Sequence, residues 1–312
     1  MTAPSSTLSI VIPAYNAAST IGATLRSVFA PDARPALDIV VVDDGSNDSA
    51  ALQDAVAAHP DVRLVAHENN RGMSAARNTG IAASRGAVVT ILDADDTLVP
   101  DWPARYAQLV ADWPLESNLC FAGCRNLNGT PTMRQPGFSG LVDLPTFLSE
   151  RYAGEYLPLF RGDYVRAKPY VDIGTRKSCG NLSYLAWVQE AAIYVSAEVL
   201  RIYDDSRGGA VSRNWLRGAK AGESVRCLEE ELSRYGELFA RLAPGKLAER
   251  WLKLAVYRRA AGQRGVWSAW RRGVGGAPLA GIAAALMVAL GPGATTALVG
   301  LARRAKAVKR YG

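Results

Sequence analysis

Four short apolar runs set the terms for this chain: Leu8–Ile12, Leu37–Val42, Val62–Ala66 and Ala87–Leu92. Each is rich in β-branched residues and too short for a typical helix, so each reads as a buried strand. The segments between them have helical spacing. Ile21, Leu25, Val28 and Phe29 share one face of a helix that Ser19 or Thr20 would cap and that Pro31 and Pro35 would stop. Further helices are expected from about Ser49 to Ala58 and from Met73 to Ser84, the second closed by Gly86. Strand and helix alternating in this way predict an α/β domain with a parallel sheet and right-handed crossovers.

In such sheets ligands bind beyond the carboxyl ends of the strands. Here those ends carry Pro13 and Tyr15, where Pro13 is expected to end the first strand, then Asp43-Asp44-Gly45-Ser46, then His67 to Gly72, then Asp93-Ala94-Asp95-Asp96. The last is three carboxylates within four residues, a costly arrangement unless a cation offsets it. A hard divalent ion shared with a diphosphate would do so. No GxGxxG or GxxxxGK loop follows the first strand, which argues against a dinucleotide or P-loop site. Cys120, Cys124, Cys179 and Cys227 lack the spacing of a zinc site, and the two histidines, His59 and His67, lie far upstream.

Taken together, Ile10–Asn16, Val41–Ser46, Asn70–Gly72 with Ala76–Gly80, and Leu92–Asp96 resemble the nucleotide-binding half of the family 2 glycosyltransferases. The resemblance spans residues 8–102. It implies a GT-A nucleotide-diphospho-sugar transferase fold, a mostly parallel sheet flanked by helices, over residues 1–222. Residues 1–102 would form the nucleotide-sugar half and 103–222 the acceptor half. It further implies that Pro13 and Tyr15 border the base, that Asp44 accepts a base N–H, and that Arg77 faces the nucleotide. Asp93 would hold ribose, Asp95 would bind Mg2+ or Mn2+, and Asp96 would steer donor sugar or acceptor. Asp43 would support its loop from behind.

An inverting transfer also needs a general base for the acceptor hydroxyl. The resemblance implies an acidic motif ahead of a helix, but Gly174–Leu182, where it is expected, is basic and polar. Asp172 is the first candidate and Glu190 the second, with Asp163, Asp204 and Asp205 behind them. Arg161, Arg166, Arg176 and Lys177 form a basic group that either meets a diphosphate or is a solvated loop.

The net charge of +7 is unevenly placed: residues 241–312 hold fourteen Lys and Arg against Glu249 alone, while residues 1–240 hold 22 basic against 28 acidic residues. Residues 223–312 therefore read as a basic, helical, membrane-associating appendage. Trp267 and Trp270 beside Arg264, Arg271 and Arg272 suit an anionic headgroup layer, or a basic helix packed on the domain. Residues 273–302 are uncharged, but Gly291-Pro292-Gly293 divides them and both flanks are basic, so a re-entrant or surface-lying hairpin is expected over a single span. Met1–Ser6 has no signal-peptide pattern, which places the expected protein at the cytoplasmic side of the membrane, peripheral or monotopic.

The expected activity is an inverting, metal-dependent transfer of a hexose from a UDP- or dTDP-sugar to a lipid-linked or growing surface glycan. The rival is a non-catalytic nucleotide-sugar-binding or scaffolding subunit, motivated by the missing base motif. A receiver-like phospho-acceptor domain is disfavoured by the second acidic cluster. Nucleic acid is not an expected partner, because the basic tail adjoins an uncharged run.

Overall fold

A computed structural model of the chain describes residues 7–204 and 219–289. The chain forms two compact units, Met1–Asp205 and Ser206–Gly312. The break expected after residue 222 falls inside the first described helix of the second unit, Ala219–Leu242.

In the first unit the strands β1 (Leu8–Ala14), β2 (Leu37–Asp43), β3 (Val62–Ala66) and β4 (Val88–Ile91) alternate with helices α1 (Ala18–Phe29), α2 (Ser49–Ala57) and α3 (Met73–Ala83). Beyond them come β5 (Thr97–Leu98), α4 (Trp102–Asp112), β6 (Leu119–Asn126), β7 (Gly140–Val142), α5 (Leu144–Leu148), β8 (Tyr156–Arg161), α6 (Gly162–Ala167), α7 (Gly180–Glu190) and β9 (Ile193–Tyr203). The strand order is β3-β2-β1-β4-β8-β6-β9-β5, with β7 paired to β9. Strands β1 to β4 are parallel, as expected. The rest is mixed rather than mostly parallel: β8 runs antiparallel to both β4 and β6, while β6 and β9 are parallel.

Alternation along each strand builds two cores. Ile10 and Ile12 of β1 face Ile21, Leu25 and Val28 of α1, with Trp102, Tyr106 and Leu109 of α4 in the same layer. Val11, Val89 and Ile91 point to the other face, toward Ile81, Phe160, Tyr170 and Trp187.

Three local expectations are corrected. Pro13 does not end β1; it pairs with Val42, and pairing to β4 stops at Val11–Ile91, so its missing N–H falls beyond the last β4 partner. Neither Ser19 nor Thr20 caps α1. The Ala18 N–H instead donates to Asp48 Oδ2 at 3.0 Å, and the Thr20 hydroxyl goes to the Ala94 carbonyl. Gly86 does not close α3, which ends at Ala83 with Ser84 as its cap. A side chain at Gly86 would meet the Thr7 carbonyl oxygen at 2.5 Å, so glycine is needed there for close backbone approach.

The second unit packs α8 (Ala219–Leu242), α9 (Pro244–Ala260), α10 (Val266–Val274) and α11 (Pro278–Ala289) around Val225, Leu228, Leu252, Ala255 and Val288. Several basic side chains of the tail are engaged inside this bundle. Arg250 pairs with Glu231 at 2.6 Å and Arg258 with Glu229 at 2.7 Å, and Arg272 lies over Trp251. Among the described residues no helix is long and apolar enough to cross a membrane. The expected second arm of the hairpin, residues 294–302, lies outside the described residues.

Candidate active site

Strand order reverses direction between β1 and β4, and the crevice at that switch point is where strand ends converge. The β1–α1 and β2–α2 loops are laced together there. Asn16, in the left-handed region at φ 53°, takes the Asn47 N–H on its side-chain oxygen, and its own N–H donates to Ser46 Oγ. Tyr15 is about half exposed beside them, 48%.

The paired aspartates after β2 divide their work. Asp43 is buried and accepts from the Ser46 N–H at 2.9 Å and the Ser49 hydroxyl at 2.5 Å. Burial pushes its pKa up, but these donors outweigh it and hold the carboxyl below its ordinary value. This is the supporting role expected of Asp43. Asp44 is also buried and clamps the β3–α3 loop: its oxygens accept from the N–H groups of Arg71 and Gly72, both at 2.9 Å, and from His67 Nδ1 at 2.7 Å. His67 Nε2 continues to the Thr79 hydroxyl. A carboxylate has about four lone-pair sites, so Asp44 keeps one for a further donor. Gly72 has φ 99°, and a Cβ there would meet the Thr175 carbonyl oxygen at 2.2 Å. The loop thus packs against residues 175–176 only because that position is glycine.

The turn after β4 is held from below by α1, whose Thr20 and Thr24 hydroxyls donate to the Ala94 carbonyl at 2.7 and 3.0 Å. Its three carboxylates then take different surroundings. Asp93 is partly exposed and meets Arg77 at 3.4 Å and Arg201 at 3.6 Å. Asp95 is exposed. Asp96 is buried, with Oδ2 3.3 Å from Arg201 Nη1 and Oδ1 accepting the Asp204 N–H. Burial pushes its pKa up to about 7, with Arg201 opposing and Asp93 adding like-charge repulsion. The expectation that Asp96 steers substrate is corrected on this ground: its carboxylate faces the interior, while Asp93 and Asp95 retain exposed surface.

Arg77 of α3 reaches the turn that follows β4. Its guanidinium lies over the Tyr170 ring and donates to Ser178 Oγ at 3.2 Å and to Asp93. Burial acts against its charge, but Tyr170 and Asp93 hold it firmly protonated.

The proposed bases fare differently. Glu190 ends α7, ten residues beyond Gly180 and so about 15 Å along the helix from the Arg77 contact. There it takes Tyr164 at 3.0 Å and pairs with Lys168. That expectation is corrected: Glu190 sits at the wrong end of α7. Asp172 is exposed and accepts the Gly174 N–H within its own turn. At the start of α7 stand Ser178, Cys179 and Gly180, with no carboxylate. Arg161 and Arg166 are also corrected as diphosphate ligands. Arg161 stacks on Trp113 and donates to the Trp113 and Pro114 carbonyls, and Arg166 donates to the Gly86 carbonyl and to Asp163.

Arg201 was not anticipated. It is fully buried on β9 and joins Cys124 Sγ at 3.2 Å, Asp93, Asp96 and, at 3.9 Å, Glu155. Burial works against its charge and these neighbours outweigh that effect. One cue was available: an arginine inside the apolar run Val199-Leu200-Arg201-Ile202 must be paired if it is buried.

A doubly covered sheet with an acidic turn at its switch point and a second half of mixed strand direction defines the GT-A class of nucleotide-sugar transferase folds. The coverage of solved structures agrees. Staphylococcus aureus TarS 1–349 in complex with UDP-GlcNAc aligns with TM-score 0.57 and 14% identity over 88% of this chain and 90% of that one. The mannosyltransferase PcManGT from Pyrobaculum calidifontis, in complex with GDP-Man and Mn2+, aligns with TM-score 0.51 and 18% identity over 91% and 87%. Residues 9–162 match the model of glycosyl transferase family 2, and this part of the chain belongs to that family. The succinoglycan biosynthesis protein ExoO of Rhizobium meliloti is 43% identical over 94 residues, 30% of this chain and 27% of that protein. The matched stretch thus spans less than a third of that relative's length.

Proposed function

We propose that this protein is an inverting glycosyltransferase that moves a hexose from a UDP- or dTDP-linked donor to a lipid-linked or growing surface glycan. One observation carries the reading: the ends of β1, β2 and β4 carry Tyr15, Asp44, Asp93 and Asp95 on one edge of the parallel sheet, and Arg77 of α3 reaches Asp93 there. Pro13 and Tyr15 would border the base. Asp44 would use its remaining lone pair on a base N–H, an acceptor-only choice that suits uracil or thymine. Asp93 would take the ribose.

The residues fit a hard divalent cation of limited protein ligation. Among the described residues no group of three or more His, Cys, Asp or Glu could hold a metal unaided. Mg2+ or Mn2+ bound through one or two carboxylates and substrate phosphates needs no such group. Asp95 would hold it, with Asp93 adjacent. When bound, the ion offsets charge building on the leaving diphosphate. Arg77 supplies a fixed positive charge at the same edge.

Attachment to the cytoplasmic membrane face has support in the second unit. α11 is apolar all round, yet only Gly281, Ala284 and Val288 are buried, while Leu279, Ile282 and Leu286 are 83%, 60% and 64% exposed. Trp267, Arg264, Arg271 and Arg272 are exposed in the same unit. Apolar surface accompanied by cationic side chains suits an anionic bilayer as its cover.

Isothermal titration with UDP or dTDP and Mn2+ tests the donor reading. Metal-dependent binding that disappears in Asp95→Ala is expected; absence of such binding in the wild-type chain removes it. The second reading, a non-catalytic donor-binding subunit, is favoured by the lack of a carboxylate at the start of α7. Donor binding without turnover on any lipid extract would select it.

A further inference from the structure

The start of α7 offers no base, but an exposed carboxylate enters the same network from another element. We propose that Glu155, in the segment leading into β8, is the general base of the transfer. The inference rests on the glycosyltransferase reading above.

Glu155 has a fixed backbone and an open side chain. Its carbonyl accepts the Thr132 hydroxyl at 2.9 Å, and its neighbour Gly154 bridges to Met133. A Cβ on Gly154 would meet Met133 Cα at 2.6 Å, so the two segments lie close. The carboxylate itself is 58% exposed and faces Arg201 Nη2 at 3.9 Å. The other terminal nitrogen, Nη1, faces Asp93 at 3.6 Å and Asp96 at 3.3 Å. Glu155 and Asp93 are therefore held on two nitrogens of one rigid guanidinium.

The residue that follows Glu155 packs into an aromatic cluster of the core. Tyr156, the next residue, stacks on Phe121 with centroids 5.2 Å apart, and Tyr184 meets Phe121 edge-on at 5.2 Å. The competing carboxylates are otherwise engaged. Asp96 is buried, Glu190 is bound at the far end of α7, and Asp172 closes its own turn.

An ionised carboxylate is acceptor-only, which is what taking a hydroxyl proton requires. In the proposed step the acceptor hydroxyl gives its proton to Glu155 while its oxygen pair bonds to the anomeric carbon. The bond from that carbon to the diphosphate oxygen breaks, and its electron pair leaves with the nucleoside diphosphate. The exposed side chain has room to swing onto the acceptor, as catalytic contacts often tighten only in the complex.

The test uses the full chain with Glu155→Gln and Glu155→Asp. UDP and Mn2+ affinity is measured by calorimetry, folding by thermal melts, and turnover as UDP or dTDP release from UDP-glucose, UDP-GlcNAc and dTDP-glucose. Bacterial lipid extract and water serve as acceptors. Glu155→Gln should keep its melting temperature, its UDP–Mn2+ affinity and the donor KM, while kcat falls by about 10²–10⁴-fold. Glu155→Asp should fall between it and wild type. A Glu155→Gln enzyme with wild-type kcat, or one whose loss lies in KM or in melting, overturns the assignment. A wild-type chain that binds UDP–Mn2+ yet releases no nucleotide overturns it too and leaves donor binding standing. If wild type binds no nucleotide, the underlying reading fails first.

Discussion

Arg201 and Asp96 form a buried ion pair, Nη1 to Oδ2 at 3.3 Å, between β9 and the acidic turn that follows β4. The same guanidinium reaches Asp93. The second half of the sheet thereby supplies a counter-charge to the turn that follows the parallel half.

Replacing Arg201 with methionine should remove the cation that opposes the effect of burial on Asp96, so that Asp96 is protonated at pH 7. Urea unfolding of Arg201→Met should show a loss of stability. Adding Asp96→Asn should then change stability little at pH 7, because the carboxyl is already neutral. Equal stability of wild type and Arg201→Met would mean the pair is not coupled to folding.

Gly72→Ala meets two obstacles at once, a φ of 99° and the Thr175 carbonyl oxygen 2.2 Å from the new Cβ. Alanine at a positive φ costs more than about 1 kcal/mol, before the collision is counted. A lower melting temperature is expected. UDP affinity should fall as well, since the Gly72 N–H is one of the donors that fix Asp44.

A pH test is available at Asp38, away from the site. Burial pushes its pKa up, but the Ser9 hydroxyl, Arg63 and the Arg85 N–H outweigh this and hold it below its ordinary value of 3.8. A folded-state pKa below the unfolded one contributes stability above the unfolded value and loses it as pH falls through the folded value. Asp38→Asn should therefore be less stable than wild type at pH 7. The gap should close as urea midpoints are followed downward from pH 4. A gap that persists unchanged to the acid end would rule out linkage as its cause.

Leu279, Ile282 and Leu286 are exposed, so Ile282→Glu with Leu286→Glu should change the unit's stability little. If α11 meets a bilayer, sedimentation with anionic vesicles should fall sharply in the double variant and less in a charge-only variant, Arg271→Gln. Undiminished sedimentation of the double variant would exclude α11 as the contact.

The sequence by itself determined much of the parallel half of the first unit. Buried parallel strands require continuous β-branched runs, and ligand-facing residues collect where those runs stop, so Leu8–Ile12 through Ala87–Leu92 and their polar ends are legible locally. The resemblance to family 2 drew attention to Asp43 and Arg77, and the structure shows the first bonding within its own loop and the second meeting Asp93. What only the tertiary structure decided depends on contacts between distant segments. Asp93, Asp95 and Asp96 are chemically alike in sequence, and only the packing of β9 against the turn buries one and leaves the others accessible. Glu190 is the last residue of α7, held there by Tyr164 and Lys168, while Glu155 reaches the network through Arg201. Electrostatic roles of this kind are set by burial and by partners far along the chain, and three-dimensional packing alone fixes both.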